Sequence, residues 1–128
     1  MSYVYYNPNP YGKSVGDCVV RALTMLFDDD WHDIYADLTM QGSFVGDMPS
    51  ANVVWGEYLK ANGFGHFSLP DRCPACYTVR DFCIDFPRGK YLVATGSHVV
   101  AVVDGNYYDT SDSGSEVPLY YWRRKERW

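Results

Sequence analysis

Apolar positions recur at helical spacing through the first half of the chain and in near-continuous runs through the last third. The segment Asn7-Pro8-Asn9-Pro10-Tyr11-Gly12 keeps residues 1–16 as an extended or turning lead-in, because each proline disfavours helical geometry at the residue before it. Val19, Ala22, Leu23 and Leu26 share one face of a helix predicted from Cys18 to about Phe27, with Asp17 as its N-cap. A second helix is predicted after Asp30, where Asp30 and Asp33 resemble a capping box and Trp31, Ile34, Tyr35 and Leu38 form a stripe. Gly42 is expected to end it, leaving residues 42–49 as a loop that could wall a cleft. Ser50 or Asn52 caps a third helix carrying Val53, Val54, Trp55, Tyr58 and Leu59, closed by Asn62-Gly63. Thr78 caps a short helix through Ile84, with Val79 and Phe82 facing inward, and Pro87-Arg88-Gly89 breaks it.

The pattern then changes. Tyr91-Leu92-Val93-Ala94-Thr95 and His98-Val99-Val100-Ala101-Val102-Val103 are rich in β-branched residues, as buried strands are. Asp104-Gly105 predicts a tight hairpin turn returning through Asn106-Tyr107-Tyr108-Asp109, and Leu119-Tyr120-Tyr121-Trp122 reads as one more strand. Helices first and antiparallel strands last predict an α+β domain, with N-terminal helices packed on a C-terminal antiparallel β-sheet.

Length and composition narrow this further. At 128 residues the chain is one domain, residues 1–128, and 47% hydrophobic with 21% charged residues is a globular composition. The net charge of −5 disfavours nucleic acid and anionic membranes as partners, and only Arg123-Arg124-Lys125-Glu126-Arg127 is locally basic. No apolar run reaches the ~20 residues of a membrane span, and no leader pattern opens the chain, so a cytoplasmic location with reduced thiols is expected.

Cys18 in a first helical turn feels the positive end of the helix dipole, which favours thiolate over thiol. His98 stands at the mouth of an apolar strand, where a polar ring serves as a base if it has a partner. A two-residue turn at Asp104-Gly105 sets Val103 opposite Asn106 and Val100 opposite Asp109, placing Asp109 on the face of His98. Asp112 falls on the other face, and a bulge would exchange the two acids. Cys18, His98 and Asp109 thus supply a nucleophile, a base and a group that fixes the base. The backbone N–H of Cys18 is one oxyanion donor, and Asn9 or Asn7 is the source of a second, with Asp112 a further substrate-binding candidate.

These residues resemble those of papain-like cysteine peptidases: Gly16-Asp17-Cys18 opening a helix, then Gly96-Ser97-His98-Val99-Val100-Ala101-Val102, then Asp104-Gly105-Asn106-Tyr107-Tyr108-Asp109 in a hairpin. The likeness covers nearly the whole chain in element order and is greatest to small single-domain types from bacteriophage and bacterial genomes. It implies a papain-like fold and cleavage of a peptide or isopeptide bond in a protein substrate, without a cofactor. Where papain-type enzymes carry a glutamine before the nucleophile, this chain has Gly12 and Lys13, so the amide must come from further back. The alternative is a catalytically silent binding protein of the same fold, such as a phage factor sequestering a host component.

A metal site is the competing use of the other thiols. The two-residue gap of Cys73-Pro74-Ala75-Cys76 lets both sulfurs reach one zinc ion, with Cys83 and His66 as remaining ligands at irregular intervals. Ordinary packing is the default for this group. Asp28-Asp29-Asp30 lacks the ligand spacing and central glycine of a calcium loop.

Overall fold

A computed structural model describes residues 2–70 and 76–125. The elements run β1 (Tyr3–Tyr5), α1 (Cys18–Phe27), α2 (Trp31–Val45), α3 (Asn52–Ala61), β2 (Phe64–Ser68), α4 (Val79–Asp85), β3 (Lys90–Ala94), β4 (Val99–Val103), β5 (Asn106–Asp109) and β6 (Tyr120–Arg124). They form an α+β structure around a six-stranded sheet of order β1-β5-β4-β3-β6-β2. Among the described residues no helix is long and apolar enough to cross a membrane.

The period-two alternation of strand side chains explains the apolar runs. Leu92, Ala94, Val99, Ala101 and Trp122 pack with α1, α2 and α3 in one core cluster, while Val93, Val100, Val102 and Tyr107 pack with Val79, Phe82 and Cys83 of α4 in another. β4 is therefore covered on both faces, and its sequence, Val-Val-Ala-Val-Val, has no polar position. The hairpin forms in the expected register, Val103 opposite Asn106 and Val102 opposite Tyr107. Its turn residues Asp104 and Gly105 both have positive φ (51° and 78°), which matches the right-handed twist of the flanking strands.

The sheet corrects the expected architecture in two places. Residues 3–5 are not merely a lead-in: β1 pairs parallel to β5, Tyr3 opposite Tyr107, so the sheet is mixed and begins at the N-terminal end. β2 forms the opposite edge, antiparallel to β6, from a segment with Gly65 and His66 in its interior and little intrinsic preference for a strand. Both strands are held by partners more than 50 positions away in sequence, which local patterning does not register.

Helix ends differ too. α2 runs past Gly42 to Val45, and the left-handed residue is Gly46 (φ 84°), whose N–H returns to the Gly42 carbonyl at 2.7 Å. Asp30 and Asp33 form no capping box, since the Asp30 side chain makes no cap hydrogen bond. α3 begins at Asn52 after Ala51, and neither Ser50 nor Asn52 is its cap; Asn52 Oδ1 instead accepts the Trp55 indole N–H at 3.2 Å. Thr78 does cap α4, in a reciprocal box with Asp81.

Gly42 is buried inside α2, and a Cβ there would stand 2.6 Å from the Asp47 carbonyl oxygen. Gly42→Ala gains about 1 kcal/mol of helix preference but collides with fixed backbone, at a cost of about 1–3 kcal/mol. The expected outcome is a net loss of stability, read as a lower urea midpoint with an unchanged slope.

Candidate active site

Cys18 is the first residue of α1, His98 immediately precedes β4, and Asp109 ends β5. All three meet at the end of the sheet where β4 begins and β5 finishes. His98 donates from Nε2 to Asp109 Oδ2 at 2.6 Å, and Cys18 lines the same small concavity as the ring, near enough for each to shift the other's pKa. With Nε2 committed to the carboxylate, Nδ1 is the nitrogen that faces the sulfur. The backbone N–H of Val99, the first residue of β4, also favours the charged form of Cys18.

Electrostatics follow from this contact. The hydrogen bond to Asp109, then that to Cys18, pushes the His98 pKa up to about 10 against the effect of burial. Burial alone would raise the Cys18 pKa; the His98 and Val99 hydrogen bonds and the positive charges of His98 and Arg21 outweigh it, and the thiol lies below its ordinary value. Asp109 is likewise lowered, burial being outweighed by His98, by the Ser113 hydroxyl and by the Thr110 N–H. One raised imidazole between two lowered acids favours the charged form of each group and couples their titration.

Arg21 was not among the residues singled out from the sequence, yet it organises the site. On α1 it lies one turn after Cys18 and is 7% exposed. Its Nη1 pairs with Asp17 Oδ1, and its Nη2 donates to Asp109 Oδ1 at 3.3 Å. Asp17 Oδ2 in turn accepts the Trp31 indole N–H at 3.0 Å. Asp17 thus precedes α1 as expected but makes no side-chain cap, its oxygens being spent on Arg21 and Trp31. Ser113, also unforeseen, donates to Asp109 Oδ2 at 2.9 Å. The available signal for Arg21 was a cation on an otherwise apolar helix face, which requires a buried carboxylate opposite.

Two concavities meet at Cys18. One, of about 550 Å³, runs beside Asn9, Tyr11, Trp31, Tyr35, Met48 and Pro49; the other, of about 150 Å³, is bounded by Ser50, Asn52, Thr95, Ser97, His98 and Tyr120. Cleft walls thus come from Met48 and Pro49, at the end of the segment expected to supply them. Asn9 is buried beside Cys18; its Oδ1 accepts the Tyr11 N–H at 2.9 Å, and among the described residues no acceptor engages its Nδ2. Asn7 is spent on a turn, accepting the Asn9 N–H at 3.2 Å and donating to the Lys13 carbonyl at 3.3 Å, and does not line either concavity. Asp112 is directed away from His98, bonded to Tyr107, Arg80 and the Gly114 N–H.

The thiols of the competing metal set are not brought together. Cys83 is buried on the inner face of α4, while His66 is exposed on β2 against the Tyr120 ring; Cys73 lies outside the described residues and Cys76 is exposed. Among the described residues no group of three or more potential ligands could hold a metal ion. Comparison with protein-family models, curated proteins and solved structures finds no match to this chain.

Two outcomes are expected. Alkylation of Cys18 by iodoacetamide should outpace that of Cys83, whose thiol burial pushes up to about 11. Its acid limb, where the thiolate is lost as pH falls, should lie below that of a free thiol and return toward it in His98→Ala, read from adduct mass against pH. Arg21→Met should cost about 3–5 kcal/mol in urea unfolding at neutral pH by leaving buried carboxylates unpaired. That deficit should shrink at low pH as Asp109 takes up a proton.

Proposed function

We propose that the protein is a cysteine hydrolase of papain-like fold that cleaves a peptide or isopeptide bond through a thioester on Cys18. The observation that carries this reading is one imidazole that shares a small concavity with a helix-start thiol and is bonded at 2.6 Å to a buried carboxylate. That arrangement supports nucleophilic acyl transfer because the thiolate exists before substrate arrives and the proton it gave up is already on the base.

The Cys18 thiolate attacks the substrate carbonyl carbon, and the developing oxyanion is met by the Cys18 N–H, an unpaired donor at the start of α1, and by the Asn9 amide. His98 then delivers its Nδ1 proton to the departing amine as the C–N bond breaks, leaving an acyl thioester and a neutral ring. Water attacks the thioester while His98 takes its proton; the carboxylic acid leaves and the thiolate–imidazolium pair is restored. Asp109 holds the ring through Nε2 and stabilises its cationic form. The resemblance to papain-like peptidases supports the same assignment, with Asn9 standing in the role of the missing glutamine.

The test is a peptidyl electrophile followed by mapping of the adduct. Rapid modification confined to Cys18 and abolished in His98→Ala is the expected result; labelling equal to that of other accessible thiols identifies a silent binding module of this fold. Hydrolysis of a peptide mixture should fall by about 10³-fold or more in Cys18→Ser and His98→Ala. Its pH profile should be bell-shaped: the acid limb follows loss of the thiolate as pH falls, and the alkaline limb follows loss of the imidazolium as pH rises through about 10.

A further inference from the structure

Among the large apolar side chains left exposed, Tyr11, Val15, Tyr35 and Met48 all line the same concavity of about 550 Å³ beside Cys18. Scattered apolar residues on a surface need no account, but a cluster of them around a cleft marks a place kept open for an apolar ligand. The sequence explains how the cluster arises. Trp31, Tyr35 and Leu38 recur at i, i+4 and i+7 along α2, so the stripe that anchors this helix in the core also turns one edge toward the cleft. The Trp31 and Tyr35 ring centroids lie 5.1 Å apart, and the Trp31 indole N–H is fixed on Asp17 Oδ2, so the protein's own contacts set this wall. Its charges are few: Asp17 is shared between Arg21 and Trp31, and Lys13 is the one cation among the described lining residues.

We propose that this concavity binds the side chain of the residue whose carbonyl Cys18 attacks, and that this residue is aromatic. The assignment rests on the hydrolase reading above and adds a substrate class to it. Position decides which side of the scissile bond the concavity serves. The departing amine takes its proton from His98, and His98 bounds only the smaller concavity; the larger holds Cys18 and Asn9, the sources of the oxyanion donors, without the ring. The residue that stays on the sulfur therefore extends into the larger one. Chemistry decides the side chain. The rings of Tyr11, Trp31 and Tyr35 favour an aromatic guest, which buries a large apolar area and packs edge or face against them. A guanidinium or ammonium would lose hydration there and meet no free carboxylate among the described lining residues, since both Asp17 oxygens are engaged. A carboxylate would have only the exposed Lys13 in place of its water.

The test is a set of tripeptidyl fluoromethyl ketones that differ only in the residue carrying the electrophile: phenylalanine, glycine, arginine or glutamate. The rate of Cys18 modification is read from adduct mass on the intact protein. The phenylalanyl probe should react about 10–100-fold faster than the glycyl probe, and faster than the arginyl and glutamyl probes. In Tyr35→Ser/Met48→Ser the phenylalanyl-to-glycyl ratio should fall by about tenfold. That ratio is internal to each protein, so a general loss of reactivity does not alter it. Phe44→Ser, which removes an exposed apolar side chain outside the concavity, should leave the ratio as it is. Rapid Cys18 modification at equal phenylalanyl and glycyl rates, a faster arginyl or glutamyl probe, or a ratio unmoved by the double variant would overturn the assignment and leave the hydrolase reading standing. Modification of Cys18 by every probe no faster than that of other accessible thiols overturns both.

Discussion

The carboxylate of Asp109 is 2% exposed, and everything at the end of the sheet is arranged to keep it ionised there. A buried charge without partners costs several kcal/mol, so four donors converge on it: the Thr110 N–H and Arg21 on one oxygen, Ser113 and His98 on the other. The four come from three places in the chain. The demand of one carboxylate therefore ties α1, the start of β4 and the loop after β5 into a fixed geometry. Its backbone carbonyl holds β1 as well, accepting from the Tyr6 N–H at 2.8 Å and the Tyr3 hydroxyl at 3.2 Å.

Charges alternate outward from that point. Arg21 stands between the carboxylates of Asp17 and Asp109, and the His98 ring, whose pKa is raised, between Asp109 and Cys18, whose pKa values are lowered. Each positive group is flanked by negative ones, so attraction within the chain of groups offsets the cost of burying them. Trp31, whose indole N–H bonds Asp17, also lines the larger concavity, so the wall of the cleft and the support of Arg21 share a residue. α1 accordingly serves two masters: Leu23 and Leu26 fill the core while Cys18 and Arg21 face the site.

The meeting of Cys18, His98 and Asp109 was legible because each position is governed by local rules. A thiol after a helix-start aspartate, a histidine before an apolar strand and a two-residue turn with Gly at its second position fix which atoms can meet, and the register placed Asp109 rather than Asp112 beside His98. Arg21 and Ser113 escaped notice because their roles exist only once Asp109 is buried, and burial is a tertiary fact. β1 and β2 were missed for a related reason: three residues, or five including glycine and histidine, carry no strand period of their own and acquire one from β5 and β6. At Gly42 two glycines four positions apart competed to end α2, and packing of the Asp47 carbonyl against Gly42 settled the choice for Gly46.

The separation of the triad in sequence has an effect during synthesis. His98 follows Cys18 by 80 positions, and β5 with Asp109 comes later still. Until that hairpin has emerged from the ribosome and docked against α1, the sulfur lacks the ring that lowers its pKa and the carboxylate that holds that ring, and behaves as a common cysteine. A nascent chain thus carries its own delay: the surroundings that lower the Cys18 thiol arise only after β4 and β5 have formed and brought His98 and Asp109 to the start of α1.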